Sequence, residues 1–333
     1  MSKLNFAVIG CSPMGQRHIE SVIGCGARLY ALCDSAPEVL EKAVERFSPE
    51  RAVLAYKELV DDKNIDAVVI VTPDKFHREM TNAFLKAGKD VLCEKPLALT
   101  VEECEDMMRV EKETGRMLTV GQVCRVSPGF QKAKELIDNG EIGELTFIES
   151  EYAHDYSVAR GYNDWRVSPE RHGIIGGGCH AIDLLRWIAG DPTEVYAKAN
   201  HKVLTDWPVD DTYIAIYQFP NNVMGKVFCS IGCKRAYTMR SVFYGTKGTI
   251  ICDNTSGILT LYNGDSYTTP QNITVRVADH NIEEEIAMFV DALENNKKAP
   301  ISSYEGASTV AVCCATVEST KTGVPVQIKY PEK

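Results

Sequence analysis

The stretch Leu4 to Ile23, LNFAVIGCSPMGQRHIESVI, limits the fold more than any other part of the chain. Asn5 to Ile9 is a short apolar run rich in strand formers, Gly10 to Gly15 interrupts it, and from Gln16 onward Ile19, Val22 and Ile23 fall at helical spacing. A strand therefore feeds a helix through a tight loop. Such a loop aims backbone N–H groups and the positive helix end at one point, which suits a pyrophosphate. In the dinucleotide fingerprint G-x-G-x-x-G the three positions are Gly10, Ser12 and Gly15, so a small hydroxyl donor replaces the middle glycine. Pro13 and Met14 complete this expected cofactor loop.

A second apolar run, Ala27 to Cys33, ends in Asp34, about 20 residues beyond the loop, where a ribose-binding carboxylate belongs. A carboxylate there accepts from two ribose hydroxyls and repels a 2′-phosphate, and Ser35, Ala36 and Pro37 supply no cation. NAD is expected rather than NADP. Further along, Glu38 to Phe47 reads as a helix, Ala52 to Ala55 as a strand and Tyr56 to Val60 as a helical turn. Ala67 to Val71, AVVIV, is an unbroken apolar run typical of a strand buried on both faces of a parallel sheet, and Thr72-Pro73 ends it. A helix from about His77 to Ala87, a strand Asp90 to Cys93, a helix from about Val101 to Thr114 and a strand Met117 to Val120 continue the alternation. Thr100 and Glu103 form a capping box that fixes the start of that last helix. The pattern predicts a doubly wound α/β Rossmann domain over residues 1–122.

With 333 residues the chain exceeds one core, so a second domain is expected over residues 123–333. After a helix from about Pro128 to Asn139, strands dominate: Leu145 to Glu151, Glu194 to Ala199, Thr212 to Phe219, Met224 to Ser230, Arg240 to Gly245, Thr249 to Asp253, Ile258 to Tyr262 and Ile273 to Val277. The separators Pro220-Asn221-Asn222 and Thr246-Lys247-Gly248 read as hairpin turns. Ile282 to Asn295 and Tyr304 to Thr322 are the closing helices. The result is an α+β domain with a largely antiparallel open sheet whose bare face suits a homodimer or homotetramer.

Charge narrows the partners. A net charge of -10 argues against nucleic acid and against an anionic membrane surface. No apolar stretch reaches the length of a membrane span, and Met1 to Leu4 leads almost at once into the first strand, so a cytoplasmic protein without a signal peptide is expected. The twelve cysteines are scattered without a C-x-x-C pair, which points to reduced, buried thiols and no metal site.

Two constellations carry chemistry. Cys93-Glu94-Lys95-Pro96 follows the fifth strand at its carboxyl end, the edge at which open α/β sheets bind ligands. Pro96 forces Lys95 out of helical geometry and can hold the bond between them cis, so a stiff turn presents the ammonium. A lysine beside a nicotinamide can polarise a substrate oxygen or pass a proton. The second is Gly176-Gly177-Gly178-Cys179-His180-Ala181-Ile182-Asp183, where Asp183 falls one helical turn past His180. A carboxylate there would fix the imidazole's tautomer, which makes His180 a candidate general base against the plainer reading of a structural histidine. His154, Tyr156, Trp165 and Arg166 lie in the long polar loop before it, which reads as a substrate-binding lid, and Tyr156, Trp165, Arg166 and Asp183 are the expected substrate contacts.

Together AVIGCSPMGQRH, Asp34, IDAVVIVTPDKFH, AGKDVLCEKPLA, GGGCHAID, DNGEIGEL and GTKGTI resemble the glucose-fructose oxidoreductase, inositol dehydrogenase and MocA family nearly end to end. The resemblance implies NAD(P)-dependent oxidation or reduction of a sugar, polyol or related hydroxyl, with Lys95 and His180 in catalytic positions. It further implies that Thr72, Pro73, His77 and Glu94 line the cofactor. One departure matters: many members carry an aspartate four residues before the histidine, and this chain has Gly176. Asp183, a loop tyrosine such as Tyr156, or the substrate must then compensate. Two further readings stay open, a glycosidase that oxidises a sugar carbon only transiently on bound NAD, and an NAD-sensing regulator without catalysis.

Overall fold

The computed structural model describes residues 4–265, 269–278 and 280–333. The chain divides into two compact units, one taking the chain up to Gln122 together with Ile282–Ala307 and Pro331–Lys333, the other Val123–Asn281 and Ser308–Tyr330. The first boundary falls where the sequence changes rhythm. The second half does not form one continuous domain, because Ile282–Ala307 returns to the first unit.

In the first unit the elements run β1 (Asn5–Ile9), α1 (Pro13–Gly24), β2 (Arg28–Cys33), α2 (Pro37–Phe47), β3 (Arg51–Val53), α3 (Lys57–Val60), β4 (Ala67–Ile70), α4 (His77–Lys86), β5 (Asp90–Glu94), α5 (Val101–Thr114) and β6 (Leu118–Gly121). The six strands are parallel in the order β3-β2-β1-β4-β5-β6. Strand order reverses between β1 and β4, so the carboxyl edge there is the crevice in which such sheets take a ligand. Apolar runs fill the middle of the sheet because both faces are covered: Ala67, Val68, Val69 and Ile70 are all fully buried. The Thr100 hydroxyl accepts the Glu103 N–H at 3.2 Å, and the Glu103 carboxylate accepts the Leu99 N–H at 3.2 Å, which starts α5 where the capping box predicts.

The second unit contains α6 (Pro128–Asp138), β7 (Leu145–Ala153), α7 (Gly173–Gly176), α8 (Cys179–Ala189), β8 (Glu194–Asn200), β9 (Thr212–Gln218), β10 (Met224–Ser230), β11 (Thr238–Gly245), β12 (Gly248–Asp253), β13 (Ile258–Asn263) and β14 (Gln271–Thr274). The chain then contributes α9 (Ile282–Glu294) to the first unit, where it packs on α1 and sets Phe289 edge-on to Phe6 at 5.9 Å. α10 (Ser303–Thr322) passes from the first unit to the second, and β15 (Val326–Gln327) is a short edge strand that the sequence pattern does not reveal. The nine-stranded sheet has the order β14-β13-β12-β11-β7-β10-β9-β8-β15, and only β7 and β10 pair in parallel.

One expectation is corrected in detail. The strand expected over Ile273 to Val277 lies earlier, because pairing with β13 from Leu261↔Gln271 to Ile258↔Thr274 sets its ends rather than its own apolar alternation. On β9 every second side chain points outward, leaving Ile214 49% and Ile216 53% exposed, so one sheet face carries apolar residues in the open. Among the described residues no helix is long and apolar enough to cross a membrane.

Candidate active site

In the first unit the loop after β1 is built from two glycines that no other residue could replace without displacement. Gly10 has φ +101°, donates its N–H to the Cys33 carbonyl at 2.7 Å, and a Cβ there would overlap the Val71 carbonyl oxygen. A Cβ on Gly15 would overlap the Gly10 carbonyl. α1 thus starts hard against β1, with Ser12 at its N-cap, Pro13 in the first turn, and no side-chain cap bond from Ser12. The first-turn amides of Met14 and Gly15 point along the helix axis, as the opening N–H groups of any helix do. Asp34 closes the loop: one oxygen accepts the Cys11 N–H at 2.8 Å and the other the Ala36 N–H at 2.9 Å. The bare glycine cradle, the open helix start and this fixed carboxylate fit a dinucleotide, with the carboxylate set against a 2′-phosphate.

The turns after β4 and β5 lie on the same sheet edge and are bolted together by His77. Its Nδ1 donates to the Pro96 carbonyl at 2.9 Å and its Nε2 faces the Thr72 carbonyl at 3.0 Å, with the ring fully buried. Burial pushes its pKa down, but the charge and hydrogen bond of Cys93, with Asp74 and the Pro96 carbonyl, outweigh this and raise it to about 10. Two carbonyls, one at each nitrogen, need a ring that donates at both. The expectation that His77 lines the cofactor is corrected: it braces the Thr72-Pro73 turn against the Lys95-Pro96 turn, whose peptide bond is cis.

Glu94 also serves the protein first. Its Oε1 meets His18 Nε2 at 2.9 Å and its Oε2 accepts the Lys95 N–H at 3.0 Å, leaving the residue 8% exposed. Burial works to raise its pKa, but the hydrogen bond and charge of His18 and then the charge of Lys95 hold it below the usual carboxylate range. Glu285 on α9 is buried nearby, and burial followed by the Glu94 charge pushes its carboxyl well above that range. One carboxyl is therefore ionised and the other neutral. Lys95 itself is half-buried at the end of β5. His18 and Glu285 escaped the sequence reading; His18 falls one turn past the glycine loop, but its partner is 76 residues away.

In the second unit, His180 sits in the first turn of α8 at 1% exposure, its ring stacked on Tyr152 at 5.9 Å and 19°. Its Nδ1 faces the Cys124 sulfur at 3.6 Å, and His280 packs edge-on at 5.5 Å. Tyr152 shares a 2.8 Å hydrogen bond with the Tyr156 hydroxyl. Burial, then the Tyr156 and Tyr237 phenols, push Tyr152 well above the ordinary phenol value. Gly177 makes room for this pair, since a Cβ there would strike the Tyr152 ring and lie 3.0 Å from the Tyr156 hydroxyl.

Asp183 does not orient His180. It is fully buried, and its oxygens accept from Arg125 Nε at 2.8 Å and NH2 at 2.7 Å and from the Thr309 hydroxyl at 3.0 Å, with Arg186 at 3.9 Å. This corrects both its pairing with the imidazole and its placement among substrate contacts. Helical spacing puts the two residues a turn apart, but Arg125, supplied by a segment 58 residues earlier, claims the carboxylate. The place of Gly176 is likewise taken. A Cβ there would overlap the Arg171 guanidinium, which is 4% exposed, donates to the Gly176 carbonyl at 3.2 Å and lies 4.9 Å from the Trp165 ring. Arg166 covers the same ring at 4.4 Å, and both cations lie 5.9 Å from Tyr156. The expected residues Tyr156, Trp165 and Arg166 are thus brought together, around an arginine that the sequence reading missed.

The parallel order with its glycine loop and acidic β2 terminus defines a dinucleotide-binding domain. Residues 4–122 match the model of the oxidoreductase family with an NAD-binding Rossmann fold, and residues 130–251 match the GFO/IDH/MocA C-terminal domain. The chain belongs to the Gfo/Idh/MocA family. It is 29% identical to inositol 2-dehydrogenase 2 of Saccharopolyspora erythraea, over 98% of this chain and 96% of that protein. It is 28% identical to inositol 2-dehydrogenase of Rhizobium meliloti, over 95% of this chain and 96% of that one. Its fold is similar to that of levoglucosan dehydrogenase in complex with NADH and L-sorbose, with a TM-score of 0.90 at 24% identity, covering 99% of this chain and 100% of the other. It is an oxidoreductase of an NAD-binding family.

Proposed function

We propose that the chain oxidises a secondary hydroxyl of a sugar, polyol or related carbohydrate, with Lys95 and His180 as its catalytic residues. Bound NAD supplies the hydride acceptor at C4 of its nicotinamide. The loop of Gly10, Ser12, Pro13, Met14 and Gly15 would hold the pyrophosphate and Asp34 the adenosine ribose, with Thr72, Pro73 and the Glu94-Lys95 turn along the same edge. Lys95 would draw charge from the substrate oxygen, and His180 would take the hydroxyl proton, the task for which imidazole is suited near neutrality. The observation that carries this reading is His180 itself, an imidazole packed on Tyr152 in a cage of aromatic and imidazole rings. Tyr156, Trp165 and Arg166 beside that cage are the proposed substrate contacts. The inositol dehydrogenases named above support a polyhydroxy substrate. A homodimer or homotetramer through the face carrying Ile214 and Ile216 belongs to the same proposal, and sedimentation of the purified chain reads it.

The experiment is NADH formation at 340 nm over a panel of sugars and polyols that includes myo-inositol. Lys95→Ala and His180→Ala should each lower kcat by about 10²–10⁴ while NAD still binds. Unchanged rates in folded, NAD-binding variants would sink the assignment. Release of an aglycone without net NADH would select the transient-oxidation reading, and NAD binding without turnover of any compound the regulator.

A further inference from the structure

We infer that the side-chain amide of Gln122 pairs with the carboxamide of the bound nicotinamide, which makes Gln122 a cofactor contact. The inference deepens the reading above and rests on it for the place of the ring beside Lys95. β5 and β6 run side by side through the pairs Leu92↔Thr119, Cys93↔Val120 and Glu94↔Gly121. Gln122 therefore stands level with Lys95, one step past the last paired residues, on the carboxyl edge at which such a sheet takes its ligand. Its backbone N–H turns back to the Val120 carbonyl at 2.8 Å and ends the ladder there.

The residue is 1% exposed, and neither its Oε1 nor its Nε2 has a hydrogen-bond partner among the described residues. The buried amides of Asn82, Asn254 and Asn281 each bond a neighbour, to Asp106, to the Met239 N–H and to the Val126 carbonyl. Glu94, which pairs with Gly121 in the ladder, turns its oxygens to His18 and to the Lys95 N–H instead. A buried amide with both atoms open is costly by itself, and it complements a group that offers one acceptor and one donor in a single plane. The nicotinamide carboxamide is such a group: its carbonyl oxygen would accept from Nε2–H, and its amino group would donate to Oε1. A single sugar hydroxyl cannot meet both atoms with straight hydrogen bonds. Two bonds at once would also stop the ring turning about its bond to ribose.

The test is calorimetric titration of the intact protein with three ligands. These are NADH, reduced 3-acetylpyridine adenine dinucleotide, in which a methyl replaces the carboxamide amino group, and ADP-ribose, which has no nicotinamide. With Oε1 deprived of its donor, the acetylpyridine form should bind about 5- to 100-fold more weakly than NADH. In Gln122→Leu that ratio should fall to about one, while ADP-ribose binds within about twofold of its affinity for the parent. Equal affinity of the parent for the two dinucleotides would overturn the inference, and so would an unchanged ratio in Gln122→Leu. An equal loss for NADH and ADP-ribose in the variant would overturn it as well, because the amide would then hold the fold and not the ring. A raised KM for the sugar with both dinucleotide affinities retained would assign the amide to a substrate hydroxyl, which is a third way to lose it. If the affinities follow the expected pattern but no sugar or polyol is oxidised, the proposed reaction falls and the cofactor contact stands. The comparison on the parent needs no variant, so a misfolded Gln122→Leu protein does not decide the matter.

Discussion

Replacing Asp183 separates a carboxylate that holds the second unit together from one that serves the chemistry. The side chain is fully buried and receives two hydrogen bonds from Arg125 at 2.8 and 2.7 Å and one from Thr309 at 3.0 Å. Asp183→Leu would remove the two-pronged carboxylate from Arg125, whose side chain is 12% exposed, while Arg186 keeps Asp191 at 2.7 Å. Removing one partner from a buried pair costs about 3–5 kcal/mol, chiefly because the other charge is left without compensation. At about 2–4 °C per kcal/mol for a unit of this size, its thermal transition should fall by roughly 6–20 °C. Asp183→Asn keeps the shape and one acceptor and should lose less. Pairing Asp183→Leu with Arg125→Met should recover part of the loss, since the orphaned charge leaves with its partner.

The kinetic half of the prediction points the other way. Because the carboxylate is not bonded to the His180 imidazole, Asp183→Asn assayed in the cold, where it is folded, should lower kcat by no more than about threefold. A carboxylate that fixed the tautomer of a catalytic histidine would instead cost about 10⁴. Calorimetry gives the stability and NADH formation the rate. An Asp183→Asn protein as stable as the parent, or a folded one that has lost a thousandfold in kcat, would refute the structural role.

Two further outcomes follow from the first unit. Gly10→Ala should raise the Kd for NADH by at least about tenfold and destabilise the fold by roughly 1–3 kcal/mol, because a Cβ at φ +101° overlaps the Val71 carbonyl; NADH fluorescence titration checks it, and native affinity would contradict the cradle. His77 has a folded-state pKa of about 10, above the ordinary value near 6.5, so its stabilisation is complete below pH 6.5 and lost as the pH rises through about 10. His77→Gln should flatten that alkaline loss in urea melts taken from pH 7 to 10, and an unaltered slope would show that the two carbonyls do not hold a cation.

What the sequence made legible was local. The glycine loop, the acid ending β2, the capping box of α5 and the antiparallel hairpin around residues 220–222 are set by residues within a few positions of one another, and periodicity or spacing exposes them. The turn at Lys95-Pro96 was legible for the same reason. The misses are all long-range. Nothing near Asp183 announces that Arg125 will claim it, nothing near Gly176 announces that a guanidinium will fill its space, and the amphipathic pattern of α9 cannot say which unit it covers. His77 was found as a candidate but misassigned, because a buried histidine between two carbonyls and a ligand-facing one look alike until both nitrogens are placed.

The return of α9 to the first unit has a bearing on biosynthesis. Phe6 leaves the ribosome well before its edge-on partner Phe289. At about 5–20 residues per second the nucleotide-gripping sheet would wait roughly ten to thirty seconds after its sixth strand is made before its last covering helix emerges. Until then the apolar flank of α1 stands bare, a target for chaperones, and a fragment ending at Gln122 would be left permanently at that stage.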